Sequence, residues 1–533
     1  MRFTKIGMGA VALAAATALV FTGCSAGGAS GGNSNIVSTN GSEPQNPLIP
    51  TNTNETGGGK IVDSIFAGLV YYDAKGAPVN EVAKSIETKD NQTYTITLND
   101  GWTFTNGEKV TSESFVKAWE YGALFSNAQL NSYFFDAIEG FSYEEDSDLT
   151  GLKVVDDLTF TVTLSSPQSD FPLRLGYSAF FPLPSVAYDD MEAFGENPIG
   201  NGPYMVAEKG AWKHNVDINL VANPEYKGGR KPMNGGLDIV FYATQDAAYA
   251  DLLSDNLDVL DGIPDAAMKT YTTDLGDRAV NQAAAIFQSF TIPESLEHFS
   301  GEEGQLRRQA ISMAINRDEI TSVIFDNTRT PARDFTSPVI DGWSKDLKGS
   351  DVLDFNEKKA QELWAKADKI SPWSGTFQIA YNGDGGHQAW VDAVCNSIKN
   401  TLGIDASGAP YPTFAELRTA VTDRTITTAF RTGWQADYPA LANFLEPLYQ
   451  TDAGANDGDY SNEEVDALFA KGNEAGSLEE ANKYFQDAQV ILLQDLPAVP
   501  LWYSNVNGGY STLVKNVVFG WNSVPLYYQI TKK

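Results

Sequence analysis

The chain has 533 residues, of which 42% are hydrophobic, and it carries a formal net charge of −32. This length and apolar content allow a large core and predict about two or three domains. The excess of acidic residues argues against nucleic-acid binding, which needs a basic surface. Two interpretations of the charge stay open: it keeps the protein soluble, or it also steers cationic ligands.

The first 23 residues have the pattern of an export signal. Arg2 and Lys5 form a short basic start, and an apolar, Ala-rich run follows from residue 6 to residue 21. The run is shorter than the ~20 residues that span a bilayer, which favours a signal peptide over a membrane span. Residues 19–24, Leu-Val-Phe-Thr-Gly-Cys, resemble a bacterial lipobox. We expect cleavage before Cys24 and lipid on its sulfur; ordinary secretory cleavage is the alternative.

Residues 24–35 are predicted to form a lipidated flexible tether. Nearly all of them are Ser, Gly, Ala or Asn, a composition that buries little apolar surface and behaves as a flexible linker. Acyl chains on Cys24 would hold the protein at the cell membrane. Because no later stretch approaches a transmembrane length, we expect the body of the protein to lie outside the cytoplasm.

Strand and helix patterns interleave along the rest of the chain. Residues 93–98 and 158–164 alternate apolar side chains with threonine, which is typical of half-buried strands. Residues 216–221 and 237–242 add two more candidate strands. Thr111 is placed to cap a helix that carries an acidic residue in its first turn. The pattern therefore predicts a mixed α/β protein.

Two further helical regions follow towards the C-terminus. Asn316 with Glu319 three residues later has the spacing of a capping box. Residues 468–496 read as one long helical region that ends before Pro497. Cys395 lies in a helix-like stretch and is predicted to be a buried small hydrophobic residue rather than a disulfide partner.

Sequence signals for catalysis or metal binding are weak. The three histidines, at positions 214, 298 and 387, do not have a metal-ligand spacing. The Gly-x-Ser-x-Gly pattern occurs only at residues 23–27 and 28–32, in the predicted signal and tether, and not in the strand-turn-helix setting of a hydrolase elbow. Residues 57–60, Gly-Gly-Gly-Lys, look like a phosphate loop but have the wrong spacing, and we predict a turn there. We therefore expect that the protein binds no cofactor and no metal and has no enzymatic activity.

Several segments together resemble the extracellular solute-binding proteins of family 5, the oligopeptide- and dipeptide-binding lipoproteins of ABC importers. They occur in the order of the family and cover roughly residues 36–533. They include the strand-turn segment at 98–107, the Gly-x-Gly-Pro-Tyr turn at 200–204, the helix with Arg308 and Arg317, and the Gly-Trp-Gln-Ala-Asp segment at 433–437. Each motif alone is only moderately specific, but their order together is highly specific.

The resemblance implies an α/β fold of the two-lobed periplasmic-binding-protein type (class II) with an extra inserted domain. Two lobes closing on a ligand would bury it between them. The domain boundaries implied in this way are 36–75, 178–285 and 500–533 for lobe I, 76–177 for the inserted domain, and 286–499 for lobe II.

The resemblance also implies a peptide site around residue 437. Asp437 matches the family position that holds the α-ammonium of the peptide, a group that is charged at neutral pH and suits a carboxylate partner. Arg431 matches a position that meets the ligand carboxylate in relatives that handle tripeptides, with a salt bridge inside the domain as the alternative. Gly433 and Gln435 would offer main-chain groups to the peptide.

Two aromatic residues complete the expected site. Trp434 is interpreted as a packing wall beside the ligand. Tyr133 either lines the site or packs in the core, and the sequence leaves both interpretations open. The expected partners are a peptide ligand, the permease subunits of an ABC transporter and the membrane through the lipid anchor, with no nucleic acid and a monomeric state.

Two competing functions stay open at this point. The same fold binds other solutes in some relatives, such as glycans, metal chelates, haem or signalling peptides, and the fold alone does not decide between them. An exported enzyme is the third class. Asp437 and Arg431 together favour a ligand with both an ammonium group and a carboxylate.

Overall fold

The computed structural model describes residues 35–383, 386–412 and 414–533. The predicted signal peptide, Cys24 and all but the last residue of the predicted tether lie outside the described residues. Within them the fold is mixed α/β, as predicted, with 14 α-helices and 20 β-strands. No described helix combines the length and the apolar character that a membrane crossing requires.

The strands, in chain order, are β1 (Ile36–Gly41), β2 (Val70–Tyr72), β3 (Pro78–Asn80), β4 (Ala83–Thr88), β5 (Thr93–Leu98), β6 (Leu152–Asp156), β7 (Thr159–Thr163), β8 (Tyr204–Val206), β9 (Trp212–Lys213), β10 (Asp217–Ala222), β11 (Gly236–Phe241), β12 (Val259–Leu260), β13 (Ala279–Thr291), β14 (Arg329–Pro331), β15 (Thr376–Asn382), β16 (Asp405–Tyr411), β17 (Ala429–Gln435), β18 (Ala498–Tyr510), β19 (Val514–Lys515) and β20 (Thr531–Lys532).

The α-helices are α1 (Thr56–Ile65), α2 (Ser112–Ala123), α3 (Phe171–Arg174), α4 (Met191–Gly195), α5 (Gln245–Leu253), α6 (Tyr271–Leu275), α7 (Gly301–Met313), α8 (Arg317–Val323), α9 (Glu357–Ile370), α10 (Gln388–Leu402), α11 (Phe414–Thr422), α12 (Leu441–Tyr449), α13 (Glu463–Glu474) and α14 (Leu478–Asp495).

A twelve-stranded sheet is the largest element among the described residues. Its strand order is β16-β15-β17-β13-β18-β12-β1-β11-β10-β8, with β14 beside β18 and β9 beside β10. A separate four-stranded sheet has the order β4-β5-β7-β6 and lies entirely within residues 76–177, the predicted inserted domain. The residue boundaries of the two lobes and of the insert stay a prediction.

Two long strands join the two halves of the large sheet. β13 and β18 have 13 residues each and pair in antiparallel fashion from end to end. β13 also pairs with β17 through residues 286–291, whereas β18 reaches β12 through Gly509 and Tyr510. The ladder between the long strands is irregular between Ala283 and Phe287. The predicted lobe boundary at 285/286 falls within this irregular stretch.

Most of the predicted elements are confirmed. The strands expected at 93–98, 158–164, 216–221 and 237–242 correspond to β5, β7, β10 and β11. Thr111 forms a capping box with Ser114 at the start of α2. The side chain of Asn316 accepts a hydrogen bond from the Glu319 backbone N–H at 3.2 Å and so caps α8. Cys395 is buried in α10, as expected.

The helical region predicted at 468–496 is confirmed with one break, because the structure divides it into α13 and α14. The break lies at residues 475–477, where Ser477 begins α14 by accepting a hydrogen bond from the Glu480 backbone N–H. A serine at this place competes with the helix and stabilises a new N-terminus. The second helix ends at residue 495, before Pro497, as predicted.

The turn predicted at residues 57–60 is wrong, since these residues lie inside α1. Glu55 caps the helix by accepting a hydrogen bond from the Gly58 backbone N–H at 2.9 Å. A Cβ at Gly58 would overlap this same carboxylate, and one at Gly57 would overlap Ser42. Close approach of neighbouring groups, rather than a turn, therefore requires the glycines, and the helix carries Lys60 on a buried position.

A buried asparagine connects the Gly-x-Gly-Pro-Tyr segment to the end of α1. Asn201 is fully buried, and its side chain pairs with both main-chain groups of Ala67: the Ala67 N–H donates to Oδ1 at 2.9 Å, and Nδ2 donates to the Ala67 carbonyl at 3.0 Å. The glycines on both sides allow the approach, because a Cβ at Gly200 or Gly202 would overlap the Ile65 main chain.

We predict that Asn201→Ala lowers the free energy of unfolding by about 2–4 kcal/mol, because it leaves a buried N–H and a buried carbonyl without partners. Urea unfolding followed by circular dichroism measures this change. Asn197→Ala is the matched control, since the Asn197 side chain makes no hydrogen bond with the described residues. A loss no larger than that of the control would contradict the structural role of Asn201.

Candidate functional site

Strand β17 carries four of the predicted site residues and is paired unequally on its two edges. On one edge, residues 430–435 pair with β13. On the other edge, β15 pairs only with Ala429 and Phe430. In the described part of the chain, residues 432–435 therefore have a strand neighbour on one edge only. The N–H and carbonyl groups on an open edge can pair with an added extended chain.

Asp437 lies just beyond the end of β17 and is held by an asparagine of α12. The Asp437 backbone N–H donates to Asn443 Oδ1 at 2.9 Å, and Asn443 Nδ2 donates to Asp437 Oδ2 at 3.1 Å. Trp434 Nε1 donates to the same Asn443 Oδ1 at 3.1 Å. The buried amide of Asn443 thus fixes the carboxylate of Asp437 and the ring of Trp434 together.

The carboxylate of Asp437 has no cationic partner among the described residues: it forms no ion pair, and its hydrogen-bond partner is a neutral amide. Burial raises the pKa of Asp437 to about 6, and the hydrogen bond from Asn443 opposes that rise. At neutral pH the group is mostly ionised in an environment that disfavours the charge. A cation supplied from outside would stabilise it.

A cavity of about 230 Å³ opens beside Asp437. Asp437 and Gln435 form part of its wall, and residues from distant parts of the chain form the rest. Lys60 and Asp63 come from α1, residues 176–178 lie between α3 and α4, and Trp521 comes from the C-terminal segment. The cavity therefore brings together groups that are separated by hundreds of residues in sequence.

Arg431 lies away from this cavity, with Gly433 and Trp434, along a second cavity of about 250 Å³. Its Nε donates to Asn382 Oδ1 at 2.8 Å, and its guanidinium carbon lies 5.0 Å from the centroid of the Phe414 ring. Asp437 and Arg431 thus stand at the two ends of the same stretch of chain, each beside its own cavity. The structure brings Gln435 to Asp437 but not Arg431.

Tyr133 lies near the Asp437 cavity without forming part of its wall. Its side chain is 41% exposed, and its ring packs at a tilt against Phe134 with 4.5 Å between the centroids. Phe134 in turn stacks on Tyr177, which does line the cavity, at 4.3 Å. Partial burial and then the charge of Asp437 raise the pKa of the Tyr133 phenol, so the two groups are close enough to interact.

Sequence patterns did not identify the cavity residues that come from α1, from residues 176–178 and from the C-terminal segment. Nothing in the local pattern connects Asp63, Tyr177 and Trp521, because only the folded chain brings them together. One signal was present: Asp63 is an acidic residue between Ile61, Val62 and Ile65, which are all fully buried. A charge at such a position is unusual and points to a special environment.

Similarity to known proteins assigns this chain to a family. The model of the bacterial extracellular solute-binding proteins, family 5, matches residues 77–456, which is more than half of the chain. The protein therefore belongs to this family, as the sequence motifs indicated. The dipeptide-binding protein DppE of Bacillus subtilis is 26% identical over 475 residues, which cover 86% of this chain and 84% of the relative.

Solved structures confirm the two-lobed α/β fold. The murein tripeptide-binding protein MppA of Escherichia coli matches with a TM-score of 0.77 at 20% identity, covering 93% of this chain and 98% of MppA. The OppA protein of Haemophilus influenzae in complex with the peptide RPPGFSPFR matches with a TM-score of 0.75 at 20% identity, covering 93% and 99% of the two chains. These matches establish the fold.

We predict that Asn443→Ala lowers the free energy of unfolding by about 1–3 kcal/mol, because the Trp434 indole N–H and the Asp437 backbone N–H lose their acceptor. Urea unfolding monitored by tryptophan fluorescence measures the change. Gln435→Ala is the matched control on the same segment: its side chain is exposed, and we expect a change within about 0.5 kcal/mol. Equal effects of both substitutions would contradict the proposed role of Asn443.

Proposed function

We propose that this protein captures short peptides beside Asp437 and delivers them to the permease of an ABC importer. The observation that carries the proposal is the Asp437 carboxylate, which is oriented by Asn443, lies in a cavity and has no cationic partner among the described residues. A peptide α-ammonium has a pKa near 8 and would supply the missing charge in a short, charge-assisted hydrogen bond.

The open edge of β17 supports a ligand with a peptide main chain. Residues 432–435 lead directly to Asp437, so an extended chain that pairs with this edge would reach the carboxylate with its terminal ammonium group. Main-chain pairing gives affinity with little dependence on side chains. The relatives agree with this ligand class, since their names describe binding of dipeptides, oligopeptides and murein peptides by those proteins.

The proposal also covers the location and the partners. Cleavage before Cys24, lipid on its sulfur and the polar tether of residues 24–35 would keep the receptor at the outer face of the cell membrane, close to its permease. We propose that Arg431 binds the ligand carboxylate, that Gly433, Trp434 and Tyr133 border the bound peptide, and that the protein acts as a monomer without enzymatic activity. Native mass spectrometry distinguishes a mixture of peptides from a single non-peptide solute.

We predict that Asp437→Asn weakens binding of Ala-Ala-Ala at least about tenfold, because it removes one member of a buried charge pair. N-acetylation of the peptide is expected to weaken binding to the wild type by a similar factor and to have little further effect on the variant. Isothermal titration calorimetry measures both changes, and circular dichroism checks that the variant folds.

The acetylated peptide provides the decisive control. If the wild type binds the free-amine and the acetylated peptide equally well, Asp437 does not hold the α-ammonium. If no peptide binds to ligand-free protein while native mass spectrometry finds one sugar, metal chelate or haem, the proposed peptide function is wrong.

Peptide affinity is expected to fall at acid pH. Burial raises the pKa of Asp437 to about 6 in the free receptor, whereas the ligand ammonium stays charged as the pH decreases. Binding of the cation requires the ionised carboxylate, so the affinity for Ala-Ala-Ala should drop about tenfold between about pH 7.5 and about pH 5. Calorimetry at both pH values measures this drop.

Asp437→Asn is the control for the pH dependence, since it removes the carboxylate that pairs with the ammonium group and should abolish most of the acid loss. Asp63 lines the same cavity, and burial raises its pKa to about 6 as well, so a smaller acid loss is expected to remain. The phenols of Tyr72 and Tyr177 face the same cavity but stay neutral over this range, because burial raises the pKa of both well above the ordinary value. An unchanged acid loss in the Asp437→Asn variant would show that another group controls the binding.

A further inference from the structure

A third and smaller cavity adjoins the cavity beside Asp437. Its volume is about 90 Å³, and it shares Lys60, Asp63, Tyr72 and Trp521 with the larger cavity. The half-buried side chain of Asp63 stands where the two cavities meet. The two adjoining cavities therefore form one cleft, which continues past the position where a peptide α-ammonium would bind.

The two cations that line the smaller cavity are already neutralised. Lys60 is buried and forms an ion pair with Asp261. Arg230 forms a two-point ion pair with the buried Glu81, with Nε 2.9 Å from Oε1 and one terminal nitrogen 3.0 Å from Oε2. Its other side-chain hydrogen bonds go to the main-chain carbonyls of Asp63 at 2.8 Å and Phe66 at 3.1 Å, and its guanidinium lies over the Tyr71 ring.

The carboxylate of Asp63, in contrast, accepts no hydrogen bond and forms no ion pair with any residue that the structure describes. Burial raises the pKa of Asp63 to about 6, and the positive charge of Arg230 opposes the rise only in part because Glu81 shares that charge. A half-buried carboxylate without a donor is costly unless a ligand satisfies it.

Asp63 and Asp437 act on the same cleft. Both charges add to the effect of burial in raising the pKa of the Tyr72 phenol and of the Tyr177 phenol. These two phenols line the larger cavity, so each carboxylate lies within electrostatic reach of the same pair of side chains. Glu55 also lines the larger cavity, but its carboxylate caps α1 through the Gly58 backbone N–H. Asp63 and Asp437 are thus the two carboxylates of the described cleft that burial leaves without a cation, and a single α-ammonium compensates one of them.

We propose that Asp63 forms a second cation subsite that selects peptides with a basic side chain, lysine or arginine, at one of their first two positions. This inference rests on the proposed peptide function and on Asp437 as the site of the α-ammonium. The aromatic wall suits such a side chain, since Tyr72 and Trp521 pack edge to face with 5.4 Å between their centroids. Their rings would contact the aliphatic stem while the charged end reaches Asp63.

Calorimetry with matched peptides tests the subsite on the wild-type protein. Lys-Ala-Ala and Ala-Lys-Ala are compared with the same peptides carrying norleucine, which keeps the stem and removes the ammonium group. We expect at least one lysine peptide to bind about tenfold more tightly than its norleucine partner, the size that a partly buried charge pair provides. Ala-Ala-Ala is measured alongside.

Variants assign the preference to Asp63. Asp63→Asn should bring the lysine-to-norleucine ratio close to one and leave the affinity for norleucine peptides within about twofold, whereas Asp63→Glu should retain a preference. Asp487→Asn removes the same charge from an exposed position on α14 and should change neither. Circular dichroism checks folding of each variant.

The outcomes separate the two proposals. If Ala-Ala-Ala binds but the wild type does not distinguish lysine from norleucine, the Asp63 subsite is wrong and the peptide function stands. If the preference survives in Asp63→Asn, another group provides it and the subsite is also wrong. If no peptide binds at all, the peptide function fails and the subsite fails with it.

Discussion

The antiparallel pairing of β13 with β18 is the constraint on which the rest of the architecture depends. These two strands are the only continuous connection within the described part of the large sheet between the group that contains β1 and the group that contains β17. β17 takes its position from β13, and Asp437 follows at its end. The ladder of the two long strands is interrupted between Ala283 and Phe287. A ladder with missing bonds bends more easily than a regular one, so this is where movement between the two groups would cost least.

The electrostatics of the cleft have a stability cost that a ligand relieves. The pKa values of Asp63 and Asp437 are both raised from 3.8 to about 6 by burial, so the folded state holds these protons more tightly than the unfolded state. The resulting stabilisation is present at acid pH and is lost as the pH rises through about 6, at a cost of at most about 3 kcal/mol for each group. Functional sites commonly keep such unfavourable charges. A peptide whose N-terminal end carries two positive charges would remove the stability cost of both carboxylates at once.

Local signals predicted the fold better than they predicted the site. Thr111 and Asn316 start their helices because a cap needs only a side chain and an N–H two or three residues away. The glycine run at 57–59 suggested a turn, but Gly57 is required by the tertiary approach of Ser42 and Gly58 by the carboxylate of the cap residue Glu55. Asp437 was identified from the segment around it, but its place beside α1 follows from folding. Asp63 lies 374 positions away along the chain, and periodicity carries no information about two such residues lining one cavity.

Main-chain pairing and charge have different roles in this cleft. An open strand edge accepts any extended peptide, because every residue offers the same N–H and carbonyl groups. Side chains that extend into water-filled space are tolerated, since water satisfies them. Discrimination therefore has to come from groups that water does not reach freely. Arg431 already has Asn382 and Phe414 as partners, so it depends less on a ligand for its stabilisation. The half-buried carboxylates of Asp437 and Asp63 have no cation from the described residues, and the free energy of binding should depend most on what the ligand places there.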